Sequence, residues 1–211
     1  MLKKIYPNPK TELNYQTPFQ LIIAVILSAQ TTDKQVNKVT KKLFEKIKKP
    51  QDVIKMGLEN FRKSIKSIGL YNGKAKNIWT LSQIFVKSDF HIPKEINELK
   101  KLPGIGEKTA KVIAHVLFNQ KVIAVDTHVH RVVNRIGLVK TKNPNQTSKL
   151  LEKIVPNKYK TFAHHALILF GRYHCKARNP LCETCPFRKI CKKVKGQRGK
   201  VKVKRYQAKQ K

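Results

Sequence analysis

Apolar residues recur along this chain at spacings of three and four, and no stretch alternates convincingly between apolar and polar. The pattern predicts an all-α fold. Thr17-Pro18-Phe19-Gln20 has the form of a capping box with proline at the first helical position. The helix it opens runs to Ser28 and is apolar on every side, which predicts a buried central element. Further helices are expected over 34–48, 51–56, 58–67, 73–87 and 93–100. Over 107–118 one face holds Ala110, Ile113, Ala114, Leu117 and Phe118, and the opposite face holds Lys108, Lys111 and His115. Over 126–136, Val129, Val132, Val133 and Ile136 point inward and His128, Arg131 and Arg135 outward, with Asp126 at the N-cap. Helices near 145–154 and 158–172 complete the set, which Gly57, Gly69, Gly73, Gly137 and Gly171 punctuate.

Charge narrows the class of partner. The 211 residues carry 46 Lys and Arg against 12 Asp and Glu, a formal net charge of +34. An AT-rich genome favours lysine codons and explains part of the excess, but the surface it creates still attracts polyanions, nucleic acid above all. The longest apolar run, Leu21–Leu27, is far short of the roughly 20 residues a membrane span needs. The start, MLKKIYPNPK, lacks the apolar stretch of a signal peptide. An intracellular protein with reduced thiols is expected, so its four cysteines are read first as ligands. Lys192–Lys211 holds ten Lys and Arg, no acid and almost no apolar periodicity. It reads as a disordered basic tail that serves either solubility or nonspecific attraction to DNA.

Two features bear on chemistry. In Leu102-Pro103-Gly104-Ile105-Gly106, proline helps end one helix, the glycines admit backbone angles closed to other residues, and Leu102 and Ile105 would pin the turn to the core. N–H groups from Gly106 onward, at the start of the next helix, suit a phosphate oxygen. Taken alone, the turn is better explained as an ordinary helix–helix connection. Lys108 follows it, and Asp126 stands eighteen positions further on in VDTHVHR. The second feature is Cys175, Cys182, Cys185 and Cys191, spaced C-x6-C-x2-C-x5-C within seventeen residues. Four thiolates so close can hold one zinc ion or one iron–sulfur cluster, and the spacing alone does not choose.

LPGIGEKTAKVIAHVLF followed by IAVDTHVHRVVNRIGL resembles the endonuclease III family, bifunctional DNA glycosylases of the helix–hairpin–helix superfamily. PFQLIIAVILSAQTTDKQVNK, SIGLYNGKAKNI and HHALILFGRYHCKARNPLCETCPFRKIC match as well, in the same order, over almost the whole chain to Cys191. The resemblance implies two helical domains with the active-site cleft between them. One is a six-helix domain over 11–120 with the helix–hairpin–helix motif at about 100–118. The other is a cluster domain of 1–10 plus 121–191. It implies a nucleophilic Lys108 that attacks C1′ of a deoxyribose, with Asp126 stabilising positive charge or taking the lysine's proton. Leu102, Pro103, Gly104, Ile105 and Gly106 would contact DNA; Gln30 and Leu70, with Ile68 beside it, would fill the gap left by a flipped base. The cysteines would hold a [4Fe–4S] cluster bracing a loop whose Arg178, Arg188 and Lys189 meet phosphates. The implied enzyme is a monomer in the bacterial cytoplasm, associated with the nucleoid. Its substrate would be double-stranded DNA with damaged pyrimidines or abasic sites.

The chain also departs from the family. Lys100 stands two residues before the LPG turn, where relatives often carry glutamate, and Glu107 precedes Lys108, where they often carry a basic residue. The N-terminus is short, so the usual first helix is expected to be truncated. A related adenine glycosylase shares the hairpin, aspartate and cluster but usually lacks the lysine and carries an extra C-terminal domain. A non-catalytic helix–hairpin–helix module would grip phosphate without needing either Lys108 or Asp126.

Overall fold

Helix α2 (Pro18–Leu27) starts where the capping box places it. Thr17 accepts from Gln20 N–H, and the Gln20 side chain accepts from the backbone of Thr17. Every residue from Phe19 to Leu27 is buried, Gln20 included, and the Gln20 amide is satisfied by the Phe44 and Ile47 carbonyls at 3.1 and 2.7 Å. A buried amide with both donors used incurs little of the desolvation penalty that a bare one would. In this computed structural model, which describes residues 1–195, ten further α-helices and one π-helical turn follow the same logic, and no strand occurs among the described residues.

The chain divides into two units, Thr11–Gln120 and Met1–Lys10 with the chain from Lys121 onward. In the first, α2 is wrapped by α3 (Asp33–Lys46), α6 (Tyr71–Lys87) and α8 (Glu107–Phe118), with the short helices α4 (Pro50–Met56) and α5 (Leu58–Ser64) lying against α6. α7 (Ile96–Leu99) is a single turn rather than the 93–100 helix expected, because Glu95 is extended, and it packs on α8. Phe19, Phe85 and Phe90 meet edge to face with centroids 5.3 to 6.3 Å apart. Phe90 lies in the left-handed region with φ 56°, a cost of about 1 kcal/mol or more that the aromatic pairs, each worth about 1 kcal/mol, offset.

In the second unit α9 (Thr127–Ile136), α10 (Pro144–Ile154) and α11 (Asn157–Leu169) enclose Val129, Val132, Val133, Leu151, Leu167 and Phe170. The N-terminal turn α1 (Leu2–Ile5) is indeed brief, and it packs on α11. The expected 158–172 helix ends as α-helix at Leu169 and continues as a π turn over Phe170–His174. A β-carbon on Gly171 would stand 2.8 Å from His128 Cβ, so α9 and this turn approach closer than any other residue allows. The basic segment after Cys191 is not disordered from its start. Residues 192–195 form a helical turn, with Lys195 N–H on the Cys191 carbonyl and Val194 buried. Residues 196–211 of that expected tail lie outside the described residues.

Candidate functional site

The glycine hairpin joins α7 to α8 by a chain of short-range bonds. Leu102 N–H reaches the Leu99 carbonyl at 3.1 Å, and Ile105 N–H reaches the Leu102 carbonyl at 3.2 Å. Ile105 is buried and Leu102 half-buried, so both pin the turn as expected, while Gly104 and Gly106 face outward. Gly104 needs its identity twice over. Its φ is +77°, and a β-carbon there would lie 3.0 Å from Asn77 Cβ on α6. Gly106 is the N-cap of α8 and brings no capping side chain. The first-turn N–H groups of α8 have no acceptor within the helix by geometry, and the helix dipole adds partial positive charge there. Lys108 is exposed in that turn.

Two opposite charges beside the hairpin hold each other. Lys100 Nζ lies 2.8 Å from Glu107 Oε2, and Lys111 Nζ lies 3.7 Å from Glu107 Oε1. The hydrogen bond from Lys100 holds the Glu107 carboxyl below its usual range despite partial burial. Glu107 is therefore ionised at neutral pH, and one positive charge remains on the triplet. Lys111 and His115, expected on an outward face of α8, are both buried. Lys111 is covered with its ammonium drawn to Glu107. His115 Nδ1 lies 3.1 Å from the Gln120 carbonyl, so that nitrogen carries the donated proton. Burial pushes the His115 pKa down, against the smaller opposing effect of that bond.

Asp126 belongs to the other unit, at the N-cap of α9. Its Oδ1 accepts from Val129 N–H at 2.8 Å. The extended segment leading to it is held by side chains rather than by a strand partner. Ile123 N–H donates to Glu152 Oε1 at 3.0 Å and Ala124 N–H to His164 Nδ1 at 3.2 Å. Glu152 is in turn paired with Lys160 at 3.0 Å. His164 is thus an acceptor that fixes the approach to Asp126. Sequence spacing offers no signal for it, because its partner lies forty positions away.

Arg131 and Arg135 do not point to bulk solvent as their place on α9 suggests. Arg131 donates to the Cys175 carbonyl at 3.1 Å and the Gly171 carbonyl at 2.8 Å. Arg135 donates to the Lys176 carbonyl at 2.7 Å and the Ala177 carbonyl at 3.1 Å, and approaches Cys175 Sγ at 3.6 Å. The Cys191 thiol lies 3.2 Å from the Arg135 carbonyl. Two arginines four positions apart thereby clamp the start of the cysteine loop. All four cysteines are free of disulfides and line one pocket, closed on other sides by Ile136, Phe170, Pro180 and Leu181. Four convergent thiols in an apolar enclosure, with guanidinium groups beside them, fit an iron–sulfur cluster. Burial pushes the Cys185 thiol up, so ligation as thiolate would draw on the charge of bound iron. Arg188 is engaged by Glu183, while Arg178 and Lys189 are exposed.

Residues 23–157 match the family model of the HhH-GPD superfamily base excision DNA repair proteins, and residues 175–191 match the iron–sulfur binding domain of endonuclease III. Endonuclease III of Rickettsia conorii is 49% identical over 192 residues, covering 90% of this chain and 91% of that one. The chain belongs to the endonuclease III family. A solved non-covalent endonuclease III–DNA complex aligns at a TM-score of 0.88 and 45% identity, over 93% of this chain and 92% of that one. A trapped endonuclease III–DNA covalent intermediate aligns at 0.87 and 45%, over 93% of each. The cofactor of this chain is a [4Fe–4S] cluster, and the matched iron–sulfur binding segment, residues 175–191, contains all four cysteines.

The remaining expected contacts are distributed unevenly. Gln30 and Leu70 are exposed, Leu70 by 65%, and both hold left-handed backbones with φ 55° and 59°. Ile68 is 2% exposed and belongs to the core beneath them, so its side chain supports the loop from below. Pro103 is half-buried at the hairpin.

Proposed function

We propose that Lys108 is the nucleophile and Asp126 the catalytic carboxylate of a base-excision repair enzyme that removes oxidised pyrimidines and then cleaves the DNA strand. As a neutral amine, Lys108 attacks C1′ of the damaged nucleotide. A C–N bond forms to the lysine as the glycosidic C–N bond breaks, and the base leaves with its electron pair and a proton. Asp126 carries negative charge to offset the cation that develops on the sugar, or accepts the proton that Lys108 must lose. Ring opening yields a Schiff base. Loss of a C2′ proton then expels the 3′ phosphate by β-elimination, and hydrolysis frees the enzyme. The observation that carries the reading is the exposed Lys108 in the first turn of α8, directly after a hairpin whose Gly104 is fixed against Asn77. A lysine there meets a phosphate held by backbone N–H groups. The covalent DNA intermediate named for a 45%-identical relative supports a covalent route.

Within this reading, the unit Thr11–Gln120 grips DNA through Leu102, Pro103, Gly104, Ile105 and Gly106, and Gln30 and Leu70 fill the space of the flipped base. The other unit supplies Asp126 and, in Cys175, Cys182, Cys185 and Cys191, the cluster that braces its loop. No helix among the described residues is long and apolar enough to cross a membrane. The curated relatives are bacterial, and a cytoplasmic, nucleoid-associated monomer suits the net charge. Borohydride reduction in the presence of abasic duplex should join the protein to DNA, and Lys108→Gln should abolish the adduct. Persistent trapping by that variant would remove Lys108 from its role.

A further inference from the structure

The loops that carry Gln30 and Leu70 are tied together by one buried cation. Lys74 sits in the first turn of α6, and its backbone N–H bonds to the Leu70 carbonyl at 3.1 Å. Its side chain is buried and runs to the other loop. There Nζ donates to the Leu27 carbonyl at 2.8 Å, the Ala29 carbonyl at 2.6 Å and Thr31 Oγ1 at 3.3 Å. An ammonium has three N–H donors, and all three are used. Two of the acceptors lie at the C-terminal end of α2, where carbonyls lack helical partners and the helix dipole is negative. Gln30 is the residue that follows Ala29. The loops also meet directly, since a β-carbon on Gly69 would lie 3.5 Å from the Gln30 carbonyl oxygen and 3.6 Å from Thr31 Oγ1.

This arrangement is costly for a purely structural contact. Burial lowers the Lys74 pKa, so desolvation works against the very charge that the three hydrogen bonds require. The residues it links are Gln30 and Leu70, two non-glycine residues in left-handed backbone, a conformation that persists where the surroundings over-determine it. We propose that Lys74 is a positioning residue, a charged clamp that sets the two loop tips in the mutual register at which Gln30 and Leu70 enter the duplex together. The proposal rests on the reading of Gln30 and Leu70 as gap-filling residues.

The test compares two substrates for the full-length holoenzyme. Single-turnover excision from a lesion duplex requires the gap to be filled; borohydride trapping on single-stranded abasic DNA does not. Lys74→Met should slow duplex excision by about tenfold or more, as misplacing a substrate-positioning group does, while single-strand trapping stays within about twofold. Combined with Gln30→Ala, it should add little further loss, because both changes disable the same step. Thr31→Val, a gentler loosening of the same clamp, should slow duplex excision by about twofold with single-strand trapping intact. If Gln30→Ala and Leu70→Ala slow duplex excision but Lys74→Met and Thr31→Val do not, the clamp is refuted and the filling residues stand. Equal losses on both substrates, or full additivity with Gln30→Ala, would reduce Lys74 to a stability role and overturn the proposal. If Gln30→Ala and Leu70→Ala have no effect on duplex excision, the reading beneath it falls as well.

Discussion

Asp126 caps α9 and is also the carboxylate proposed for catalysis, and substitution can separate the two roles. Its carboxylate caps α9 through Val129 N–H, a contribution typically worth about 1 kcal/mol, and it is the carboxylate assigned to the chemistry. Asparagine caps a helix nearly as well as aspartate but carries no charge; alanine provides neither. Asp126→Ala should therefore lower the melting temperature by a few degrees, about 1 kcal/mol, and Asp126→Asn by much less. Both should lose most base excision. An Asp126→Asn variant with full excision activity would show that the cap alone is needed there. The charges near Lys108 obey the same local accounting. Lys100 and Glu107 lie 2.8 Å apart, so each offsets the other's charge beside the hairpin.

At the scale of elements, α9 and the π turn approach too closely to admit a β-carbon on Gly171. The β-carbon of an alanine at position 171 would meet not only His128 Cβ at 2.8 Å but also His128 C and O at 3.2 Å, and backbone atoms cannot swing aside. Gly171→Ala should cost about 1–3 kcal/mol, the usual penalty of overpacking. It should also loosen the cysteine loop, because Arg131 holds both the Gly171 and Cys175 carbonyls. Denaturant midpoints would read the first effect and iron retained after a chelator challenge the second; an unchanged midpoint would show that α9 can retreat freely. Much of this architecture is legible in the sequence because it depends on neighbours. The capping box at Thr17, the Asp126 cap, the buried α2 and the cysteine array all involve residues a few positions apart. What is not legible involves distant partners. Periodicity assigned Lys111 and His115 to an outer face of α8 and Arg131 and Arg135 to solvent, since it reports which residues share a face and not what covers that face. Lys74 was hidden in the same way, its three acceptors lying more than forty positions upstream.

For the whole molecule, the excess of 46 cationic residues over 12 acidic ones is left largely uncancelled. Several acids are consumed locally, with Glu59 on Arg62, Glu98 on Lys101, Glu152 on Lys160 and Glu183 on Arg188. The hairpin's backbone amides, proposed to hold phosphate, carry no formal charge and so would release no counterion. The lysines and arginines do, and each phosphate they neutralise steepens the fall of log affinity with log salt by about 0.9. Equilibrium binding of the Lys108→Gln variant to abasic duplex, which cannot proceed to the covalent stage, should therefore weaken by orders of magnitude between low and physiological salt. A chain ending at Lys195 lacks seven further Lys and Arg of residues 196–211. If those residues contribute to DNA attraction, its slope should be shallower while excision at low salt is retained. If they serve solubility alone, the slopes should coincide. A flat response in the full chain would contradict the assignment of its charge to phosphate altogether, and would leave the hairpin amides as the principal grip.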